Sequence, residues 1–233
     1  MVARYAALGQ RSQCGRFGIV LDLMGNSETF RFGDFSTTVH QYGRSDLFLE
    51  LPRERLCVAD TNTTRIAASE MDPLVLESGE ASKSWLQLER ILNRLLERNV
   101  LRDGAVVGVG GGVVCDIAAC AGSLFLRGCT VILVPTSLLA MVDAAVGGKT
   151  GINFGGYKNM VGTFYPATEV RICTELLHTL PEHEYRSGLA EVIKSAMLGD
   201  AELLDTLELQ RERILRREDG LLEEIVWRSI MVK

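Results

Sequence analysis

Apolar positions along this chain follow two rhythms. Short apolar runs at 56–59, 74–76, 105–109, 131–134 and 170–173, each bounded by Gly, Pro, Asp or Thr, predict buried strands. Between the second and third runs, Trp85, Leu88, Ile91, Leu92, Leu95 and Leu96 recur at helical spacing, with Arg90, Asn93, Arg94 and Glu97 on the other side. Strand, crossover helix and strand predict a parallel sheet covered on both faces, which takes ligands at the carboxyl ends of its strands. Phe30-Arg31-Phe32 and residues 37–42 add an antiparallel hairpin ahead of it. Past Glu175 the short runs cease, and 182–197, 202–216 and 221–232 read as helices. The last of these carries Leu221, Leu222, Ile225, Val226 and Ile230 on one stripe. The pattern divides the chain into an α/β domain over 1–174 and the N-terminal part of an all-α domain over 175–233, since three helices are too few to cover one another.

Composition narrows the field. At 233 residues, 47% apolar and 24% charged, the chain is one large globular domain, or one domain and part of a second. A net charge of −5 advertises no polyanion partner, so nucleic acid is not expected. The apolar stretch 131–146 is broken by Pro135, Thr136, Ser137 and Asp143, too soon to span a membrane. The N-terminus, with Arg4, Gly9, Gln10 and Arg11 among short apolar residues, predicts no secretion signal. Cys14, Cys57, Cys115, Cys120, Cys129 and Cys173 form no C-x-x-C pair; they predict buried thiols and a cytoplasmic location rather than disulfides or a cysteine metal site.

Three clusters could carry chemistry. The first is the glycine run 108–112 with Asp116, at the end of a strand, where backbone N–H groups and a helix N-terminus suit a pyrophosphate. Counted as G-x-G-x-x-G from Gly110, its third glycine falls on Cys115, which predicts a slightly wider gap between helix and sheet. On this segment alone a dinucleotide site and a merely tight turn explain the glycines equally well. The second cluster is Asp143 with Gly147, Gly148 and Lys149, followed by Lys158 and Asn159. Gly148-Lys149-Thr150 imitates the end of a nucleoside-triphosphate loop, but Asp143 stands where that motif needs glycine, and its carboxylate would repel a triphosphate. What remains suits a small anionic, hydroxylated substrate; for any one of these residues a solvated loop, with Asp143 as a helix cap, explains it as well. In the third, Glu191 and Lys194 share a helix face opposite Leu189, Val192, Ile193 and Ala196, as a surface ion pair or as a metal ligand beside a substrate-holding cation. His40, His178 and His183 read as ordinary surface or packing residues.

In this order the clusters resemble the dehydroquinate synthase family of sugar phosphate cyclases, over roughly 58–194, with the strongest likeness at 110–116, 125–128, 134–151, 158–162 and 188–194. The resemblance implies a Rossmann-like, NAD-binding α/β domain and a helical metal- and substrate-binding domain. It also implies conversion of 3-deoxy-D-arabino-heptulosonate 7-phosphate to 3-dehydroquinate and phosphate in the shikimate route, with NAD and a divalent metal, zinc foremost. Asp60 and Asn62 would lie near the cofactor's adenosine, Ser78, Gly79, Glu80 and Lys83 at its ribose, and Gly111, Gly112 and Val113 at its pyrophosphate. Asp116 would stand near the nicotinamide, and Thr136, Ser137, Lys158 and Thr179 would complete that site. Asp143, Lys149, Asn159 and Lys194 match substrate positions, with Lys149 and Asn159 nearest the phosphate. Arg127 matches an arginine that reaches a neighbouring subunit, implying a homodimer, and Glu191 matches one metal ligand.

The family's two further ligands are histidines in a region beyond residue 233, so this chain is expected to be inactive alone, as a fragment, a split protein or a degraded one. A metal-dependent polyol dehydrogenase shares the glycine triplet but does not account for 146–151 together with Lys158 and Asn159. A non-catalytic nucleotide-binding remnant is the third reading.

Overall fold

The computed structural model describes residues 19–20, 27–67 and 71–233. Cys14 and the N-terminal residues read above lie outside the described residues. The strands, in chain order, are β1 (Ile19–Val20), β2 (Ser27–Phe32), β3 (Phe35–Gln41), β4 (Arg55–Asp60), β5 (Leu74–Leu76), β6 (Ala105–Gly110), β7 (Thr130–Pro135), β8 (Ile152–Phe154), β9 (Tyr157–Val161) and β10 (Glu169–Ile172). Eight of them form one sheet in the order β1-β2-β3-β10-β7-β6-β4-β5, and β8 and β9 form a separate hairpin. Neighbours from β3 to β5 run parallel, and β1-β2-β3 is an antiparallel edge.

Near-continuous apolar runs are what such a sheet requires, because successive side chains point to opposite faces and both faces are covered. Leu56 and Val58 of β4 enter one core cluster, while Cys57 and Ala59 enter the other. The first face is covered by α2 (Trp85–Glu97) and α3 (Gly112–Leu124). The second is covered by the loop around Leu47 and Phe48, by α1 (Thr64–Ala67), and by Leu176 of a 3-10 turn (Thr174–Thr179).

Two expectations about α2 and α3 need correcting. The buried stripe of α2 is Leu88, Ile91 and Leu95, while Trp85 and Leu96 are 53% and 61% exposed. Hydrophobic spacing marked the helix, but residues at the margin of the stripe turn to solvent. Nor does Cys115 hold α3 away from the sheet. A Cβ added at Gly108 would lie 2.9 Å from Ala118 Cβ, and one at Gly110 would lie 2.6 Å from Val114 Cβ. The close approach comes from glycines on the strand, not from a third glycine on the helix.

After β10 come α4 (Glu182–Gly199), α5 (Ala201–Leu209), α6 (Arg211–Leu215) and α7 (Asp219–Val232). The segment 202–216 is two helices rather than one, broken at Gln210. The break turns Ile214 into the core, where its carbonyl accepts from the Tyr185 hydroxyl at 2.8 Å, and leaves Leu209 in solvent. On α4 the buried side chains include Tyr185, Val192 and Ala196, but Ile193, expected on the apolar face opposite Glu191 and Lys194, is 43% exposed. All five stripe residues of α7 are buried.

Candidate functional site

From β4 the chain runs outward to β5, then crosses back over β4 to β6, so the strand order reverses between β4 and β6. A crevice outside the carboxyl ends of strands at such a reversal is where open α/β sheets bind ligands. Asp60 ends β4, and its Oδ1 accepts the N–H groups of Asn62 at 3.0 Å and Thr63 at 2.9 Å, an Asx-type turn in which Oδ2 takes no part. Ser78 N–H donates to Thr61 Oγ1 at 3.2 Å, which sets the loop after β5 beside that turn. Gly79 has φ +105° and open space where a Cβ would stand.

At the end of β6, Gly111 and Gly112 differ from Gly110. A Cβ on either would make only ordinary contacts at 3.5 Å, with Ser137 Oγ and Ala144 Cβ respectively. Among the described residues no side chain caps α3, so the first N–H groups of the helix, at Gly112 and Val113, suit an anion. Thr136 N–H donates to Gly110 O at 2.9 Å, binding the tip of β7 to that of β6, and Ser137 Oγ accepts from Ala140 N–H at 3.3 Å.

Beside this turn lies a buried ionic group. Lys83, 5% exposed, donates through Nζ to the Asp116 carboxylate and to the Asn159 side-chain oxygen. Burial raises the Asp116 pKa, against the lowering pull of Lys83. Asn153, on β8, donates its N–H to Lys83 O at 2.8 Å and its Nδ2 to Glu80 Oε1 at 2.9 Å, and accepts the Asn159 N–H at 2.9 Å. Lys158 stands exposed on the same hairpin.

A second, wetter group forms around Asp143. A π-helical turn (Ala140–Ala144) carries it, and its carboxylate bonds Lys233 Nζ at 2.6 Å instead of capping a helix. Gly147 and Gly148, at φ +113° and +72°, then reverse the chain to Lys149, which is exposed. Gly188 lets α4 press onto this region: a Cβ there would lie 2.6 Å from Leu138 Cβ. That approach delivers Glu191 and Lys194, paired at 2.8 Å, close enough for Asp143 to raise the Lys194 pKa further after Glu191 has done so. Lys233 Nζ is pushed down by burial, against the upward pull of Asp143. Asp143 in turn raises the Asp116 pKa, so the two groups share one electrostatic field.

Two sequence-derived positions stand apart from these groups. Thr179 is exposed on the 3-10 turn, its hydroxyl donating to Leu176 O at 3.2 Å. Arg127 is exposed, and with Leu126 it adopts left-handed backbone at φ +63° and +49°. Glu191 sits in the Asp143 group without a ligand set: among the described residues no group of three or more His, Cys, Asp or Glu could hold a metal ion. The described residues therefore do not by themselves fit a catalytic divalent metal, which takes about three protein ligands.

Sequence reasoning missed Asn153 and Lys233. The Gly155-Gly156 pair between Phe154 and Tyr157 is a hairpin signal that could have found β8 and β9, and Asn153 with them. Lys233 had no local signal, because Asp143 lies 90 residues away.

Residues 73–187 match the family model for the N-terminal part of 3-dehydroquinate synthase. Over 158 residues the chain is 44% identical to 3-dehydroquinate synthase of Saccharolobus solfataricus, an alignment covering 68% of this chain and 45% of that protein. Among solved structures, the 2-epi-5-epi-valiolone synthase ValA of Streptomyces hygroscopicus, with NAD+ and Zn2+ bound, has a TM-score of 0.77 and 28% identity. That match covers 87% of this chain and 61% of ValA. A probable glycerol dehydrogenase of Sinorhizobium meliloti shares the fold at a TM-score of 0.60 and 14% identity, covering 83% of this chain and 63% of that one. The chain thus spans about half the length of the curated relatives it matches.

Proposed function

This chain belongs to the dehydroquinate synthase family, and from that premise we propose that it supplies the nucleotide-binding part of an NAD-dependent phosphate lyase. The substrate in this reading is 3-deoxy-D-arabino-heptulosonate 7-phosphate, and the products are 3-dehydroquinate and phosphate. The observation that carries it is the meeting, at one strand edge, of an open glycine turn at Gly111 and Gly112 with the cations Lys83, Lys149, Lys194 and Lys233.

Gly111, Gly112 and Val113 would hold the pyrophosphate of NAD, Asp60 and Asn62 its adenosine end, and Ser78, Gly79, Glu80 and Lys83 its ribose. Asp116 would face the nicotinamide end, with Thr136, Ser137, Lys158 and Thr179 completing the site. Bound there, the nicotinamide supplies reversible hydride acceptance within a turnover, which acidifies the neighbouring C–H. Lys149 and Asn159 bind the phosphate and offset the charge it carries away, and Asp143 and Lys194 orient the sugar. Arg127 reaches a second subunit, so the assembly is a homodimer, in the cytoplasm.

A divalent metal, zinc foremost, belongs to this reading of the whole enzyme, and among the described residues Glu191 alone matches a ligand position. In this reading the chain by itself is inactive. Isothermal titration of the chain with NAD is the test. Heat saturating with a Kd below about 1 mM supports the reading, and no heat at millimolar NAD removes it.

A further inference from the structure

We infer that Asn153 is a positioning residue that couples the nucleotide loop to the hairpin carrying Lys158 and Asn159, so that order in one imposes order on the other. The inference deepens the reading above and rests on it for the identity of the ligands.

The hairpin is fixed at its base, where Thr150 and Thr163 bond through backbone and hydroxyl groups and Thr163 reaches Ser123, but its tip has little else to hold it. Its ladder pairs Ile152 with Val161 and Phe154 with Tyr157, with a bulge between them, so Asn153 faces the three residues 158–160 without a regular partner. Bulges beside active sites re-aim side chains in this way. Ile152 is fully buried and anchors one end, but Phe154, Tyr157, Lys158, Asn159 and Met160 are all exposed. Apolar packing therefore does not place Asn159.

Hydrogen bonds do. Asn153 Oδ1 takes the Asn159 N–H that the bulge leaves out of the ladder, and Asn159 itself sits at φ +54°, a left-handed conformation that asparagine tolerates. That backbone turn carries the Asn159 side chain to Lys83 Nζ. Asn153 then closes the circuit, through its N–H to Lys83 O and its Nδ2 to Glu80 Oε1. One residue thus touches both sides of the cleft, more than 70 positions apart in the chain. A nucleotide that settles the Glu80 and Lys83 side also settles Asn159, the residue set against the phosphate, and by reciprocity the reverse holds.

Hydrogen–deuterium exchange on the ligand-free chain tests the circuit. Asn153→Ala should speed exchange roughly three- to tenfold at both 157–161 and 79–84, the range one or two lost hydrogen bonds produce, with β6 amides unchanged. Asn153→Asp should do the same, because its carboxylate meets Glu80. Adding Glu80→Gln returns a donor to that contact and should restore exchange toward the wild-type rate. Wild-type rates in Asn153→Ala, acceleration on one side only, or failure of the double variant to recover would overturn the inference.

With NAD at millimolar concentration, the wild type should gain protection at both segments, and Asn153→Ala should gain it fully at 79–84 but less at 157–161, where only the main-chain bond to Lys83 O and the Lys83–Asn159 contact remain. Equal protection of the hairpin in both proteins would also overturn it. A wild type that takes up no NAD sinks the functional reading instead, and the ligand-free exchange then decides on the coupling by itself.

Discussion

The Lys83 group and the Asp143 group are made of the same residue types and obey different physics. Lys83 and Asp116 meet with side chains 5% and 19% exposed, so neither charge can fall back on water. Asp143, 48% exposed, pairs with Lys233 at 28%, and Lys194, 62% exposed, pairs with Glu191 at 29%, so solvent screens one partner of each pair. Where both partners are buried, removing one strands the other, so the pair is a structural commitment. Where one partner is wet, solvent weakens the pair, and its cation is freer to exchange a carboxylate for an arriving anion.

The sharpest way to break that contrast is Lys83→Met. It should cost about 3–5 kcal/mol in urea unfolding, because it leaves Asp116 buried without a cation. A cost under 1 kcal/mol would place Asp116 in water after all. The pH dependence follows from the raised Asp116 pKa. The folded protein holds that proton more tightly than the unfolded chain, so the group's stabilising contribution is complete below its ordinary 3.8 and is lost as pH rises through the folded value. Lys83→Met removes the lowering influence and moves that window upward. The variant's deficit should therefore be largest at neutral pH and narrow on acidification towards about pH 4.

Gly110→Ala comes next, at about 1–3 kcal/mol, since its Cβ would stand 2.6 Å from Val114 Cβ. Gly111→Ala is its control: the added Cβ meets nothing closer than 3.5 Å, so stability should hold while NAD affinity falls. Equal destabilisation by both, with NAD binding untouched, would make the turn a packing device alone. Lys149→Ala should leave the unfolding midpoint nearly unchanged and weaken inorganic phosphate binding by about tenfold, a charged hydrogen bond's worth; unchanged affinity would return Lys149 to a solvated loop. The smallest effect belongs to Glu191→Gln, a few tenths of a kcal/mol, as befits an exposed i,i+3 pair. A cost above 1 kcal/mol, read by the same urea unfolding, would mean that α4 depends on it.

Much of the sheet was legible because strands buried on two faces leave no choice but short apolar runs, as 56–59 and 105–109 show. The glycine turn was legible too, although its division of roles was not. Spacing cannot tell Gly110, which faces Val114, from Gly111, whose Cβ would meet only Ser137 Oγ at an ordinary 3.5 Å. Trp85, Leu96 and Ile193 defeated the reading of helix stripes because a periodic pattern fixes the middle of a buried face better than its margins. The charged residues were found as types, but Lys83 with Asp116 and Lys233 with Asp143 are joined across 33 and 90 positions. No local pattern encodes such pairs; the sheet order and the approach of α4 and α7 create them.

The most direct measurement is an experimental structure of this chain grown with NAD. The account predicts the pyrophosphate against the N–H groups of Gly111, Gly112 and Val113, with the adenosine toward Asp60 and the nicotinamide toward Asp116. NAD seated elsewhere, or the mouth of the β6 turn filled by side chains, would contradict it.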